Sequence, residues 1–198
     1  MNNDYCNFFM IVVIIVICFY IYLKNDGEFD LKCIVSQVDG NKYCVRERNK
    51  LQEAADLLAT VTNKCMDLKD YVNESYGDEE SVQRLVKGFS KTKIKETLPT
   101  SKFTAYSENK GEKLAFCLNK KKKDNSNLID EHTLMFVAIH EMAHIMTESI
   151  GHKEEFWDNF QYLLEKAEEA DIHKPKDYKN EPQEYCGMTI SDNPYYDH

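Results

Sequence analysis

The sequence predicts an α+β fold, with one domain over residues 31–198 that follows an N-terminal hydrophobic helix. Three observations lead to this prediction. Apolar residues recur at steps of three and four in several segments, which is the period of an amphipathic helix. Short β-rich runs flank two turn sequences, Asp39-Gly40 and Asn109-Lys110-Gly111. A chain of 198 residues is also long enough for one domain with a real core.

The first element is an uncharged run over residues 8–23, which reads FFMIVVIIVICFYIYL. As a helix it would be about 24 Å long, slightly less than a typical hydrocarbon core. A secretory signal peptide is the alternative, but it needs basic residues before the run and small residues after it. We therefore expect a tail over 1–7, a transmembrane helix over 8–23 that anchors the protein in a membrane, and a linker over 24–30.

Two observations disagree about the side of the membrane on which the domain lies. Lys24 and Lys32 follow the helix and no basic residue precedes it, which favours a cytoplasmic domain. Five cysteines of the domain, none with CxxC spacing, favour an oxidising space. We expect a single-pass membrane protein with its domain on the exterior side. The hairpin turn predicts a disulfide between Cys33 and Cys44, and Cys65 with Cys117 is a second candidate pair.

The overall charge argues against a protein that binds nucleic acid. Acidic residues outnumber basic ones by 34 to 25, and the formal net charge is −9. A protein that grips phosphate backbones needs the opposite balance. The run of four lysines over 120–123 is more typical of a solvated loop, because like charges repel one another.

The remaining elements follow along the chain. A hairpin is expected over 31–47, with Asp39-Gly40 at its turn. Helices over 49–73 and 78–89 and two strands within 102–118 should follow. The last elements are a helix over 130–150 that ends at Gly151, a helix over 153–170, and a short strand near 186–190 in an otherwise irregular tail.

Residues 140–144 read His-Glu-Met-Ala-His and lie inside the predicted helix over 130–150. Two histidines four positions apart project from one helix face and can hold one metal ion together. Glu141 follows the first histidine, where it can act on a water molecule at the metal. This H-E-x-x-H arrangement is that of zinc peptidases. It predicts His140 and His144 as Zn²⁺ ligands and Glu141 as the catalytic base.

A hydrolytic zinc ion needs a third protein ligand and one open position. On an unbroken helix His152 would lie about 12 Å beyond His144, too far to share the ion. We therefore expect the helix to stop at Gly151 and the chain to turn back, so that His152 becomes the third ligand. The alternatives left open are Glu148, His173 and Glu155.

The span over 136–160 resembles the active-site region of the WLM and SprT-like metallopeptidases. Their pattern is HExxH, a short spacer, a third histidine and a nearby aromatic residue; it is matched here by His140, Glu141, His144, His152 and Phe156. More widely, residues 109–194 resemble WLM-like proteins of large DNA viruses, which end in a sequence similar to EYCGMTISDNP. The resemblance implies a zincin-like domain in which the active-site helix packs on a small antiparallel sheet. It also implies that an extended peptide lies along the strand near 114–118.

These observations predict a membrane-anchored zinc peptidase that hydrolyses peptide bonds in a protein or peptide substrate. The viral resemblance implies that its membrane is that of a virion or of the host. Zinc would lower the pKa of a water molecule, and Glu141 would take its proton and deliver it to the leaving amine. Tyr185 and His173 are candidates for a further hydrogen-bond donor. Two other hypotheses stay open: a WLM-type protease of DNA–protein crosslinks, and an inactive zinc-binding structural or interaction protein of a virion membrane.

Overall fold

The computed structural model describes residues 2–25, 31–89, 93–122 and 127–196. Most of the predicted linker over 24–30 lies outside this part of the chain. The helices are α1 (Asn2–Asn25), α2 (Leu51–Tyr76), α3 (Glu80–Phe89), α4 (Glu131–Met146) and α5 (Glu154–Glu169). The strands are β1 (Leu31–Val35), β2 (Lys42–Arg46), β3 (Lys93–Glu96), β4 (Ala105–Glu108), β5 (Lys113–Phe116), β6 (Gln183–Tyr185) and β7 (Met188–Ile190), and a 3₁₀ turn covers Pro194–Tyr196.

The main sheet is mixed, and the prediction of a small antiparallel sheet is wrong in this respect. Its five strands lie in the order β1-β2-β3-β5-β4. The two hairpins, β1-β2 and β4-β5, are antiparallel as predicted from their turns, but β3 pairs in parallel with both β2 and β5. Strand β3 therefore joins two locally formed hairpins into one sheet.

Strand β3 is not apparent from the sequence because three of its four residues are charged. Its central position depends on Glu96, which is fully buried. The Glu96 carboxylate accepts hydrogen bonds from the backbone amide of Arg46, at 2.7 Å, and from the guanidinium of Arg48. Both arginine side chains are buried too, so the ion pairs compensate the burial of the carboxylate.

Helix α4 lies at the centre of the core. Twelve of its sixteen residues are buried, which requires neighbours on nearly every side. Helices α2, α3 and α5 pack against it, and it also contacts β4 and β5. The four predicted helices of the domain are thus present, and the α+β class is confirmed.

The end of α4 differs from the sequence prediction. The helix stops at Met146, not at Ile150, and Gly151 lies in the following loop with a φ of 85°. Thr147 is the C-cap: its backbone is extended, and its hydroxyl donates to the carbonyl of Ala143 at 2.7 Å. Side chains from α3 and from the β4-β5 turn bind the last carbonyls of the helix, so tertiary contacts cap it here without a glycine.

The predicted transmembrane anchor is wrong. Helix α1 contains the apolar run, yet among the described residues no helix combines the length and the apolar character needed to cross a membrane. The physical reason is length, since the uncharged run over 8–23 reaches about 24 Å and a spanning helix needs about 20 apolar residues. The prediction of a single-pass membrane protein with an exterior domain is therefore wrong as well.

The described part of the domain contains two disulfides, one within a hairpin and one between distant segments. Cys33 and Cys44 face each other across the first hairpin and are bonded, as predicted. Cys117 is bonded to Cys186, and Cys65 is a buried free thiol, so the pairing of Cys65 with Cys117 is wrong. Cys65 lies on α2, whereas Cys117 directly follows β5 and faces the hairpin of β6 and β7.

Candidate metal centre

The two histidines of the His-Glu-Met-Ala-His sequence lie in the second half of α4 and project from one face. Their ring centroids are 4.9 Å apart. After α4 ends, residues 147–151, here called the return loop, lead the chain back toward the helix. His152 Nε2 then lies 3.2 Å from His140 Nε2 and 3.0 Å from His144 Nε2. The chain thus brings the three predicted ligands together.

The spacing of these nitrogens fits a single zinc ion. Nitrogens bound to one tetrahedral zinc at about 2.0–2.1 Å are about 3.3 Å from one another. Burial and repulsion by the neighbouring histidines lower the pKa of His140 to about 3. Burial, with the nearby charges of His152 and Lys110, lowers the pKa of His144 to about 4. Both rings are therefore neutral at pH 7, the form that binds metals.

The alternative third ligands do not approach the histidine pair. In the part of the chain that is described, the one group of three side chains able to hold a metal is His140, His144 and His152. The Glu155 carboxylate instead accepts the backbone amides of Glu148 and Ser149, at 2.8 and 3.1 Å. His173 packs on His132 near the first turn of α4, with ring centroids 4.3 Å apart, far from the end that carries the pair.

Glu141 is buried beside the histidines and lines the same cleft. Burial raises the pKa of its carboxyl group to about 8, although a hydrogen bond from the backbone amide of Ser107 acts in the opposite direction. Ser107 belongs to β4, so this contact ties the helix to the edge strand of the sheet. A buried carboxylate with a raised pKa is suited to exchanging protons near neutral pH.

Charged side chains hold the return loop on the end of α4. Lys110 Nζ donates to three backbone carbonyls, those of His144 at 3.2 Å, Thr147 at 2.6 Å and Ser149 at 3.0 Å. Arg84 Nε donates to the carbonyl of Met146 at 2.8 Å. These contacts satisfy carbonyls that the helix leaves free at its C-terminus and fix the loop that carries the chain to His152.

A cleft of about 1600 Å³ lies over the three histidines. One wall is β4, which is an edge strand of the sheet. The strand near 114–118, expected to lie beside a substrate, is instead the inner neighbour β5. The floor is largely apolar, with Phe136, Val137 and Phe160 among its residues. An extended chain would fit along such an open wall.

Of the two candidates for an extra hydrogen-bond donor, Tyr185 lines the cleft and His173 does not. Tyr185 is buried, and its hydroxyl donates to the carbonyl of Thr104 and accepts from the amide of Cys117, both at 3.2 Å. These contacts use its donor and one of its acceptor positions. His173, near the start of α4, is not among the residues that line the cleft.

Three residues of the site could not be found from the sequence. Ser107, Lys110 and Arg84 come from β4, the β4-β5 turn and α3, and they meet α4 only in the folded chain. The Asn109-Lys110-Gly111 turn is visible as a hairpin signal, but nothing in it indicates that Lys110 reaches a helix end. Contacts of this kind between separate elements have no local sequence signal.

Comparisons with known proteins give viral relatives of unknown activity. No known family's sequence model matches the chain. An uncharacterised protein of Acanthamoeba polyphaga mimivirus is 26% identical over 190 residues, which is 94% of each chain. Uncharacterised proteins of Invertebrate iridescent viruses 6 and 3 are 33% and 37% identical over 57 and 59 residues, about a third of their own lengths.

The fold is similar to that of a solved protein. The crystal structure of Wss1 from Saccharomyces cerevisiae aligns with a TM-score of 0.50 at 16% identity, over 64% of this chain and 87% of that one. At this level of identity the likeness concerns the fold alone. The α+β architecture described above is therefore of the Wss1 type.

Proposed function

We propose that this protein is a zinc-dependent peptidase of the WLM type, with His140, His144 and His152 as the metal ligands and Glu141 as the catalytic base. The observation that carries the proposal is the convergence of three imidazoles beside a buried carboxylate: His152 Nε2 lies 3.2 Å from His140 Nε2 and 3.0 Å from His144 Nε2, and the ligand atoms of all three lie within 4.8 Å of one another. The fold supports it, since Wss1 is a WLM-family metalloprotease. The membrane anchor is not part of the proposal.

The chain supplies the proton transfers. When bound, zinc would act as the Lewis acid that polarises the scissile carbonyl and lowers the pKa of water. The Glu141 carboxylate accepts the proton of the attacking water and then donates it to the leaving amine nitrogen. The Ser107 amide orients Glu141 by its hydrogen bond. The surrounding apolar residues keep other water away from this carboxylate.

The substrate in this proposal is a polypeptide in an extended conformation. Strand β4 has a neighbour in the sheet on one side only, so its other edge can pair with an added strand. Its residues 105–108 all line the cleft, and Ser107 contacts Glu141. A peptide bound along β4 would therefore pass over the histidines and the base.

The test uses the full chain loaded with zinc, a library of peptides, and the variant Glu141→Gln. We expect about one zinc per chain in both proteins. We also expect peptide cleavage that falls by roughly 100-fold or more in the variant, because an amide cannot transfer the proton. Equal cleavage by both proteins would remove Glu141 from the mechanism, and a chain that binds no zinc would end the proposal.

A second candidate is a WLM-type protease that acts on DNA–protein crosslinks, which the resemblance of residues 136–160 to the WLM and SprT-like metallopeptidases suggests. The formal charge of −9 speaks against tight binding to DNA. Cleavage that depends on added DNA, and that weakens steeply with salt, would favour this candidate over the general peptidase. Cleavage that DNA does not stimulate would exclude it.

A further inference from the structure

Large apolar side chains are exposed at the rim of the cleft. Phe103 precedes β4, Ile150 belongs to the return loop, Trp157 lies in the first turn of α5, and Met188 begins β7. Their exposed fractions are 62%, 87%, 44% and 49%, and all four line the cleft. Exposed apolar groups that gather from four separate segments around one cavity are typical of a binding surface.

Strand β4 shows how these residues are arranged around Glu141. Directly before the strand, the Thr104 hydroxyl contacts the sulfur of Met188 at 3.6 Å. In the middle of the strand, the Ser107 amide bonds to Glu141. Beyond its other end, Lys110 bonds to the carbonyl of Ser149, the neighbour of Ile150. Met188 and Ile150 therefore lie on opposite sides of the catalytic base.

Met188 and Ile150 each have an aromatic side chain near them on the rim of the cleft. Phe103 is adjacent to Thr104, and its ring centroid lies 6.0 Å from that of Tyr106 on β4. The Trp157 ring lies 5.6 Å from the ring of His152, which follows Ile150 by two residues. Two apolar surfaces result: the first is Phe103 with Met188, and the second is Ile150 with Trp157.

The distance between the two surfaces suits an extended peptide. Residues 104–108 cover about 13 Å at the usual 3.3 Å rise per residue of a strand, and the turn that carries Lys110 follows directly. A peptide paired along this edge would thus reach both surfaces with about five residues. The bond above Glu141 would then lie between the side chains that contact the first and the second surface.

We propose that the cleft selects polypeptide segments with a large apolar side chain on each side of the cleaved bond. This inference rests on the proposed peptidase function. One side chain contacts Phe103 and Met188 and the other contacts Ile150 and Trp157, so that apolar area on both partners leaves water. Peptides with polar side chains at these positions lose that contribution. The substrate is therefore an unfolded or exposed hydrophobic segment of a protein.

Binding can be measured without cleavage because Trp157 is the only tryptophan of the chain. The probe is the full-length, zinc-loaded Glu141→Gln protein, titrated with two eight-residue peptides that lack tryptophan and tyrosine. One peptide has leucine and phenylalanine at its two central positions, and the other has serine at both. We expect the apolar peptide to bind at least about tenfold more tightly and to shift the Trp157 emission to shorter wavelength.

Three variants locate the binding surface. Ile150→Ser and Met188→Ser, each made in the Glu141→Gln protein, should weaken binding of the apolar peptide several-fold and leave the serine peptide unchanged. Val38→Ser is the matched control, since Val38 is 50% exposed in the first hairpin and does not line the cleft. It should bind both peptides like the parent. Zinc content should be the same in all of these proteins.

The possible failures separate this inference from the peptidase function. Equal affinity for the two peptides, together with zinc-dependent cleavage of both by the unmodified chain, would overturn the selectivity and leave the peptidase standing. Selective binding without any cleavage would support the selectivity and count against the peptidase. A dimer in sedimentation that Ile150→Ser converts to a monomer would overturn the inference, because a second copy would then cover the rim.

Discussion

Of the three proposed zinc ligands, His152 is the one that is held in place by a loop. The other two histidines are fixed on α4, whereas His152 follows a loop and is exposed to solvent. Its Nε2 nevertheless lies within 3.2 Å of both partners. Because His152 reaches the other two histidines only through the return loop, its replacement is the most direct test of the proposed site.

Replacement of His152 by alanine should remove most of the zinc, since two histidines alone hold the ion weakly. His132→Ala is a suitable control, because His132 bonds to the carbonyl of Lys174 near the other end of α4 and lines no part of the main cleft. Zinc per chain is measured by atomic absorption after dialysis against a weak chelator. Full retention of zinc by the His152→Ala protein would show that the third ligand is another residue.

His173 should make the fold sensitive to acid. Burial, with repulsion from His132 and Lys64, lowers the pKa of His173 to about 3. In the unfolded chain the His173 imidazole is protonated below about pH 6.5, whereas in the folded chain it stays neutral down to about pH 3. The free energy of unfolding therefore has its full value above pH 6.5 and falls toward pH 3, by about 2–3 kcal/mol at pH 4.5 for this residue.

The comparison protein is His173→Phe, which keeps a ring against His132 and removes the titrating group. Among the described residues, His173 Nε2 is buried without a hydrogen-bond partner, so little is lost with it. Urea unfolding of the zinc-free proteins at pH 7 and 4.5 gives the difference, because the histidines of the metal centre, at the other end of α4, contribute equally to both. Identical acid sensitivity in the two proteins would contradict this account.

At the scale of elements, the β4-β5 turn controls the end of α4. Asn109 and Lys110 both have positive φ, at 50° and 54°, a conformation that costs free energy in residues other than glycine. Gly88 makes the approach possible, since a Cβ there would lie 2.4 Å from Ile145 and 2.5 Å from the Lys110 carbonyl. The turn is thus held close enough for Lys110 to reach three carbonyls of α4 and the return loop.

Lys110→Met should therefore lower zinc affinity without unfolding the domain. Loss of a residue that orients a metal ligand costs roughly 10- to 100-fold in metal affinity. Chelator competition measures the affinity, and the visible spectrum of the cobalt-substituted protein reports the ligand geometry. Lys110→Arg should restore part of the affinity because it can still donate to carbonyls.

Lys113→Met provides the matched control for the turn. Lys113 lies on β5 and pairs with Glu108 at 3.2 Å, so its removal deletes a lysine and an ion pair of the same region. Its zinc affinity should equal that of the unmodified chain. A similar loss in both variants would mean that the ammonium group of Lys110 has no specific role in positioning.

At the scale of the whole molecule, the Cys117–Cys186 disulfide fastens the C-terminal hairpin to the main sheet. It joins residues 69 apart in sequence, and the amide of Cys186 also donates to the carbonyl of Asn119 at 3.0 Å. Cys186 and Gly187 form the turn of this hairpin with φ values of 52° and 82°. Met188 and the rim of the cleft follow directly.

Removal of this disulfide should destabilise the fold more than removal of the other one. A cross-link over 69 residues is worth about 4 kcal/mol by the loop-entropy relation, and one over 11 residues about 3 kcal/mol. Urea unfolding of the Cys117→Ser, Cys186→Ser protein and of the Cys33→Ser, Cys44→Ser protein gives both values. The reverse order would show that chain entropy is not the main contribution of these cross-links.

Local patterns in the sequence predicted most of the elements and indicated the candidate ligands. The spacing in His-Glu-Met-Ala-His places two rings on one face of any helix, and the Asp39-Gly40 turn sets Cys33 opposite Cys44. Periodicity located α2, α3 and α5 within a few residues. The helices and the Cys33–Cys44 bond were predicted correctly because each depends on contacts between residues that are near one another in the chain, whereas the metal ligands remain a prediction.

Only the tertiary structure decided how these elements combine. Strand β3 is charged, and it is central because Arg46 and Arg48 from distant segments neutralise Glu96. Helix α4 ends at Met146, where Arg84 and Lys110 from other elements donate to its last carbonyls. The pairing of Cys117 with Cys186, the edge position of β4 and the apolar rim of the cleft also join residues far apart in sequence. A local sequence pattern cannot predict such contacts, because they stabilise the protein only when folding has brought the distant segments together.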